Sequence, residues 1–570
     1  YLEDFRNSIT SFVHTDLTWF FDEWIDTPKD LDYGIQSIKK GKGKDEYIIR
    51  FVRKGAMQMP IDFNVISKKD SLYKFYIPNT WFEKQTSAKI LPRWIGWGKV
   101  EPTYDATVTI PGGIDRVAID TTLRLADINM LNNFKPFPIK YYFDSKIYHT
   151  PDWTNYEAFF GPSLWYNAYD GLKLGMHVHG DYMLFKDNVN ATLWFNTGLF
   201  QNIPHSTPNI NNHQIISFTL AYQTPTDNFI PNSSISLYGQ SMDGLNEGKV
   251  IFQMKDNSLK NTFYTQLQSL YRPHIWDTNY LIYPQLWQTK AFNNTVSVGL
   301  KHDYKYSAVG RGTIDLRFKS SLLTPDYNYS QTSLTILEYQ KISKTLFLHA
   351  RLFAQYGTGT NVPYESALYA AGINPEGLMD NAFTRAQGIV PQDWTGYGSS
   401  IGHFQEGGGL NLRGYAGYVL PEVDSKGNLE FAYNGNSGAA INAELDLNDP
   451  ANTAGKGYFV NHPVNYLNIP ALLSRFVQVV SKSCINLTTY LFGDAGVINI
   501  NPNYSRNLEL SSIRADAGVG VALTIQRWGP LQTVKPLTIR LDMPLFLNEP
   551  PASDEGYVQW RWVIGISRCF

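Results

Sequence analysis

The sequence predicts a mainly β protein: a transmembrane antiparallel β-barrel of about sixteen strands, preceded by a β-sandwich and a short helical segment. Three observations predict it. Charged residues make up 18% of the 570 residues, below the roughly 25% of ordinary soluble domains, while aromatics reach 14% with 36 Tyr and 14 Trp. Apolar and polar residues alternate through runs near the roughly nine to eleven residues of a tilted membrane strand, longer than the roughly five or six of a sandwich strand. No apolar run reaches the roughly 18 residues of a membrane helix, so strands would make any crossing. A formal net charge of −2 gives no basic face for nucleic acid.

Residues 1–26 read as helical, with Phe5, Ile9, Phe12 and Val13, then Leu17, Trp19, Phe20, Phe21 and Trp24, and with Asp16 as the N-cap of a second helix. They form an aromatic face without a domain of their own. Residues 27–125 turn to period two at Tyr47–Val52, Asp62–Val65, Thr107–Ile110 and Arg116–Asp120, separated by turn signals at Gly41–Lys44 and Pro111–Gly113, as in a β-sandwich. Residues 126–168, aromatic and Pro-containing, read as a linker. The chain opens at Tyr1 without a signal-peptide core and reads as the mature or trimmed part of a longer precursor. Cys484 and Cys569 offer no disulfide framework and read as small residues in a sheet.

The barrel pattern spans 169–570. Leu172, Leu174, Met176 and Val178 alternate with Lys173, Gly175, His177, His179 and Asp181, and Ile314, Leu316 and Phe318 alternate with Asp315, Arg317 and Lys319. One face suits lipid and the other water. Candidate strands lie near 171–185, 189–200, 213–224, 232–240, 245–254, 261–270, 280–290, 292–306, 312–322, 331–340, 343–355, 437–447, 485–498, 512–526, 534–546 and 557–570. The last carries Trp560, Trp562, Ile564 and Ile566 to a terminal Phe570, an aromatic in the lipid-facing phase that suits barrel closure.

Between the eleventh and twelfth candidates lies a long loop, 357–436, with the Gly-rich run Gly407–Tyr415 and one arginine, Arg413. A loop arginine needs a planar acceptor. Asn442, Glu444 and Asp446 share one strand phase, and Asp494, in Phe492-Gly493-Asp494-Ala495-Gly496, shares a phase with Asn486, Thr488 and Tyr490. Both acids therefore face the lumen, and the loop is expected to fold inward with Arg413 on Asp494 and Glu444 nearby. The glycines allow close backbone approach.

Leu412-Arg413-Gly414-Tyr415, Ala443-Glu444-Leu445, Phe492–Gly496, Arg514–Val521 and Leu541–Leu545 stand in the order seen in the BamA/TamA/two-partner-secretion barrels, and residues 165–570 resemble that superfamily. The resemblance implies a bacterial outer-membrane barrel with a lipid bilayer around it, protein partners in an outer-membrane complex, and a periplasmic N-terminal part. It also implies a loop-to-lumen lock of Arg413, Gly414, Tyr415, Glu444, Phe492, Asp494 and Gly496. Residues 1–122, through Asp16–Trp24 and Leu31-Asp32-Tyr33, resemble the end of the catalytic domain and the sandwich of aminopeptidase N-type zinc peptidases. No HExxH occurs, so no catalysis and no cofactor are expected of this chain, and zinc would belong to an upstream domain. Gly55–Pro60 only superficially matches that family's substrate loop.

His177 and His179 sit two apart on one strand face. With no carboxylate or cysteine partner visible in the sequence, they read as lumen polarity rather than as a metal site. Asn190-Ala191-Thr192 fits a glycosylation sequon without weight in a bacterial barrel. Three functions are compatible with these readings: an accessory barrel of outer-membrane protein assembly or secretion, the membrane anchor of a zinc-peptidase-like domain, and a transport pore, which an inward loop disfavours.

Overall fold

A computed structural model describes residues 2–570 apart from 82, 97–99, 145–149, 202–213, 275–286, 307–308, 322–325, 344, 386–389, 391–393, 395–401, 448–484, 502–507, 526–536, 552–553 and 555. Two compact units are present: Tyr1–Tyr142 with Thr150–Ala158 and Gly180–Leu184, and Phe143–His149 with Phe159–His179 and Phe185–Phe570.

The first unit opens with helices α1 (Leu2–Val13) and α2 (Thr18–Trp24). No α1 residue is buried. α2 begins one residue later than expected: Leu17 occupies the N-cap position, and the Asp16 carboxylate accepts the Thr18 N–H at 2.9 Å from just outside it. Trp19 and Trp24 pack on the adjoining sandwich core, and the Trp24 indole donates to Met59 Sδ at 3.2 Å. The sandwich strands are β1 (Tyr33–Lys40), β2 (Glu46–Arg53), β3 (Ile61–Ser67), β4 (Leu72–Ile77), β5 (Lys89–Ile90), β6 (Thr103–Thr109), β7 (Ile114–Ile119) and β8 (Phe134–Lys135). They form sheets in the orders β1-β2-β6 and β5-β4-β3-β7-β8. Period-two alternation sends Ile61, Phe63 and Val65 of β3 inward, where Phe63 meets Phe51 of the other sheet at 4.7 Å between ring centroids. Ile49, Phe51, Ile61, Val65, Ile110 and Ile119 are fully buried there. This is a conventional apolar core, stabilised by removal of its side chains from water.

The large sheet comprises β9 (Ile139–Phe143), β10 (Tyr156–Asn167), β11 (Gly171–Tyr182), β12 (Lys186–Asn196), β13 (Ile216–Pro225), β14 (Ser233–Met242), β15 (Leu245–Lys255), β16 (Asn261–Tyr271), β17 (Phe292–Tyr306), β18 (Gly310–Ser320), β19 (Asn328–Lys341) and β20 (Phe347–Asn361). The long loop then carries β21 (Leu368–Tyr369), α3 (Pro375–Leu378), β22 (Gly402–Phe404), β23 (Glu422–Val423), β24 (Leu429–Phe431) and β25 (Asn434–Gly435). The sheet resumes with β26 (Gly438–Asp446), β27 (Ile485–Ile498), β28 (Arg514–Ile525), β29 (Leu537–Leu547) and β30 (Trp562–Ile566). Successive strands from β12 to β20 and from β26 to β30 pair antiparallel, and β20 pairs directly with β26 across the loop, Ala350 opposite Ala443.

Among the described residues, β10–β20 and β26–β30 make sixteen strands, and β9 and β22 join them in an eighteen-strand sheet. The expected sixteen came out with a different membership. Residues 126–168, expected as a linker, contain β9 and β10. In β10, Phe159-Phe160 and Pro162 break the alternation that identifies a strand, because proline is rare inside sheets. The expected strand 280–290 lies mostly outside the described residues, and 287–290 is not strand. The expected strand 557–570 is only Trp562–Ile566. Trp560, 65% exposed, precedes it, and Ser567, at φ 67°, turns the chain off the strand before Phe570. Cys569 is buried, and Cys484 lies outside the described residues.

The barrel strands invert the sandwich pattern. Leu174, Met176, Val178, Ile314, Leu316 and Phe318 are exposed, whereas Lys173 and Lys319 of the opposite phase are buried. An outward apolar band over a polar interior is the pattern of a transmembrane β-barrel of the outer-membrane type, with lipid as the outer solvent. No described helix is long and apolar enough to cross a membrane.

Candidate functional site

The long loop folds back onto the lumen face of the wall. Leu410 and Leu412 run beside β21, donating N–H groups to Tyr369 O and Ala370 O at 2.9 Å each. Their side chains join Leu368, Tyr415 and Phe431 in an apolar cluster with wall residues Phe353, Ala440, Ile498 and Leu547. The hydrophobic term thereby anchors the loop and leaves Arg413 to be placed by polar contacts.

Arg413 is completely buried. Its Nε and Nη2 donate to Asp494 Oδ2 and Oδ1 at 2.7 and 3.0 Å, and its Nη1 donates to Glu444 Oε1 at 2.8 Å. The first two bonds make the planar fork-to-carboxylate pairing that an arginine favours. The guanidinium lies 3.8 Å from the centroid of the Phe492 ring, which covers its face. Register explains the convergence: Asn442 pairs with Asp494 and Glu444 with Phe492, so loop arginine, acids and ring meet on one patch of two adjacent strands.

Glycine is needed at two neighbouring points. A Cβ on Gly414 would stand 2.3 Å from Leu547 Cδ2 and 2.7 Å from Asp516 Cβ, and one on Gly496 would stand 3.0 Å from Ala439 O. Tyr415, buried, donates its hydroxyl to Asn548 Oδ1 at 3.0 Å and Glu549 O at 3.1 Å.

Several members of this network were not singled out in the sequence. Asn442 donates to Asp494 Oδ1 at 3.0 Å while accepting from Arg351 Nη1 at 2.9 Å, and Arg351 also donates to Gly409 O at 2.8 Å. Arg540 bonds Asp542 and donates to Gln405 O at 2.9 Å and Gln405 Oε1 at 2.7 Å. Arg514 bonds loop residue Glu422 at 2.5 Å and Glu549, just beyond the end of β29, with Phe431 under its guanidinium. The lumen phase of the strands was the signal for Asp542, which is held by Arg540 of its own strand and Tyr490 of β27; the loop partners Gln405 and Glu422 of the arginines could not be read from phase.

The C-terminal tail is the largest departure. Arg568 donates to Glu444 Oε2 at 2.5 Å and Asp446 Oδ1 at 2.9 Å, so the turn at Ser567 carries the tail to the lumen acids. Phe570 accordingly lines an open pocket of about 530 Å³ beside Tyr339, His349 and Ala350 instead of extending the last strand. Trp562 stays on β30, its ring edge-to-face with Trp394 of the loop at 5.4 Å. β22 pairs parallel with β30, Gly402 to Trp562 through Phe404 to Ile564, on the edge away from β29.

No family model matches the chain, and no curated protein matches it. Solved structures similar to it include BamA from Haemophilus ducreyi lacking POTRA domains 1–3, at 13% identity over 71% of this chain and 69% of that chain, with a TM-score of 0.36. CdiB from Escherichia coli is 11% identical over 73% of this chain and 63% of that chain, with a TM-score of 0.34. A BenF-like porin from Pseudomonas fluorescens Pf-5 is 8% identical over 94% of both chains, with a TM-score of 0.31. At these scores the fold rests on the register and burial described above.

Proposed function

We propose that this protein is a polypeptide-handling barrel of the bacterial outer membrane, an accessory component of outer-membrane protein assembly or secretion with its sandwich in the periplasm. The observation that carries the proposal is the bolted loop: one segment, 402–415, is both tied to the lumen wall through Arg413 and laid along the edge of the short last strand through β22. A loop pinned inside the lumen by buried ion pairs suits a diffusion pore poorly. A five-residue terminal strand with an edge covered by a three-residue parallel pairing offers a place where an extended polypeptide could add to the sheet.

The test is depletion of the protein in its native host with quantitation of outer-membrane and secreted proteins, alongside bilayer conductance of the purified barrel. Reduced levels of particular clients with low conductance support the proposal. Unchanged levels with steady, large conductance would establish a pore instead.

A second reading, the anchor of a zinc-peptidase-like domain, is favoured by the packing of Trp19 and Trp24 of α2 on the sandwich core. An HExxH with a downstream Glu ligand in sequence preceding Tyr1 would support it, and zinc-dependent aminopeptidase activity of that longer protein would establish it.

A further inference from the structure

The sequence offered His177 and His179 without a third ligand. Folding supplies one. Asp144, just beyond the end of β9, reaches past β10 to β11, where its Oδ2 bonds His177 Nε2 and its Oδ1 lies 3.8 Å from His179 Nδ1. One donor atom from each of the three residues lies within 4.8 Å of the other two. Three ligands bound to zinc at roughly 2.0–2.1 Å stand roughly 3.4 Å apart, so small side-chain movements would close the set.

Three further features match a built site. Gly161 of β10 leaves the passage open: a Cβ there would stand 2.9 Å from Asp144 Oδ2 and 3.2 Å from His177 Cε1. Phe159 stacks on the His179 ring, with centroids 4.9 Å apart and planes 7° from parallel, which fixes the imidazole plane. Among the described residues, Asp144 Oδ1 is shielded from solvent and has no hydrogen-bond partner. Both histidines lie in the lumen phase of β11, opposite the exposed Leu174, Met176 and Val178, and keep about a third of their surface open, so an ion can enter from the lumen.

The geometry points to a zinc site formed by Asp144, His177 and His179, with its fourth position open to water. Two imidazoles and a carboxylate are a zinc donor set, and the partial exposure leaves room for the solvent ligand. The site clips the end of β9 to β11 across β10, at the first strands of the barrel. It is independent of the zinc-peptidase resemblance, since all three ligands lie outside residues 1–122.

The test uses the full chain, purified through a tag without histidines, stripped with EDTA and titrated with Zn²⁺ against a chromogenic chelator. One equivalent is expected to bind. His177→Gln and His179→Gln should each weaken binding by more than about tenfold, and Gly161→Ala, which alters no ligand but crowds Asp144, by about tenfold. Co²⁺ added to the unaltered protein should give the intense visible bands of tetrahedral coordination, a readout that needs no variant to fold. Absence of stoichiometric Zn²⁺ binding, absence of the Co²⁺ bands, or unchanged affinity in a heat-modifiable H177Q/H179Q double variant overturns the proposal.

Discussion

The sandwich and the barrel are built from the same period-two strands, yet their interiors are opposites. In the sandwich the residues removed from solvent are Ile49, Phe51, Ile61, Phe63 and Val65. In the barrel, Arg272, Arg413, Arg514 and Arg540 are among the largest fully buried side chains, and Leu316 and Phe318 stand outside. The difference lies in the solvent on the outer face. Water rewards hiding apolar surface, whereas lipid removes that reward for the wall, so the strands turn their charged phase inward, where ion pairs act beside the apolar cluster that seats the loop. A truncation in the sandwich therefore loses packing, and one in the lumen strands a charge.

The comparison is broken or sharpened most strongly at Arg413. Arg413→Ala should destabilise the barrel by about 3–5 kcal/mol, because Asp494 remains buried without its cation and, among the described residues, Glu444 keeps only Arg568. The expected readout is a lower heat-modification temperature together with protease sensitivity of the loop. The Asp494→Ala variant should lose nearly as much, and the double variant little more than either single one. Simple additivity of the two would show that the pair does not act as a unit.

Phe63→Ala should cost about 3–5 kcal/mol through a cavity, and its effect should stay in the sandwich. Faster hydrogen exchange confined to residues 27–125, with unchanged barrel heat modification, is the expected result. Gly414→Ala comes next, at about 1–3 kcal/mol from overpacking against Leu547 and Asp516. It should loosen the loop without altering any charge, which separates geometry from electrostatics at the lock.

The smallest effect is a pH slope in the sandwich unit. Burial pushes the Asp127 carboxyl up to about 6, although the Tyr33 and Asn129 N–H groups and the Asn133 amide donate to it. Its folded pKa thus exceeds its unfolded one, so its contribution to stability is complete below about pH 4 and is lost as pH rises through about 6. Hydrogen exchange in residues 27–125 should therefore be slower at pH 5 than at pH 8 after correction for intrinsic rates, by about 1–2 kcal/mol, and Asp127→Asn should flatten the slope.

Much of the lock was legible because strand phase is local. Glu444 and Asp494 were assignable to the lumen from their neighbours alone, and the Gly-rich setting of Arg413 marked a segment made for close approach. β10 was not legible, since Phe159-Phe160 and Pro162 disturb the alternation and only its place in the sheet makes it a strand. The tail was misread for a related reason. Trp560, Trp562, Ile564 and Ile566 continue a phase to Phe570, but the attraction of Glu444 and Asp446 for Arg568 outweighs strand continuation.

By itself the sequence determined the β class, the inverted polarity of the barrel strands and the face on which each lumen acid lies, because these follow from period two and side-chain chemistry. Tertiary structure alone decided which distant groups meet: Arg568 with Glu444, β22 with β30, and Asp144 with the two histidines across Gly161. Such meetings depend on register and loop path over many residues, and no local pattern encodes them.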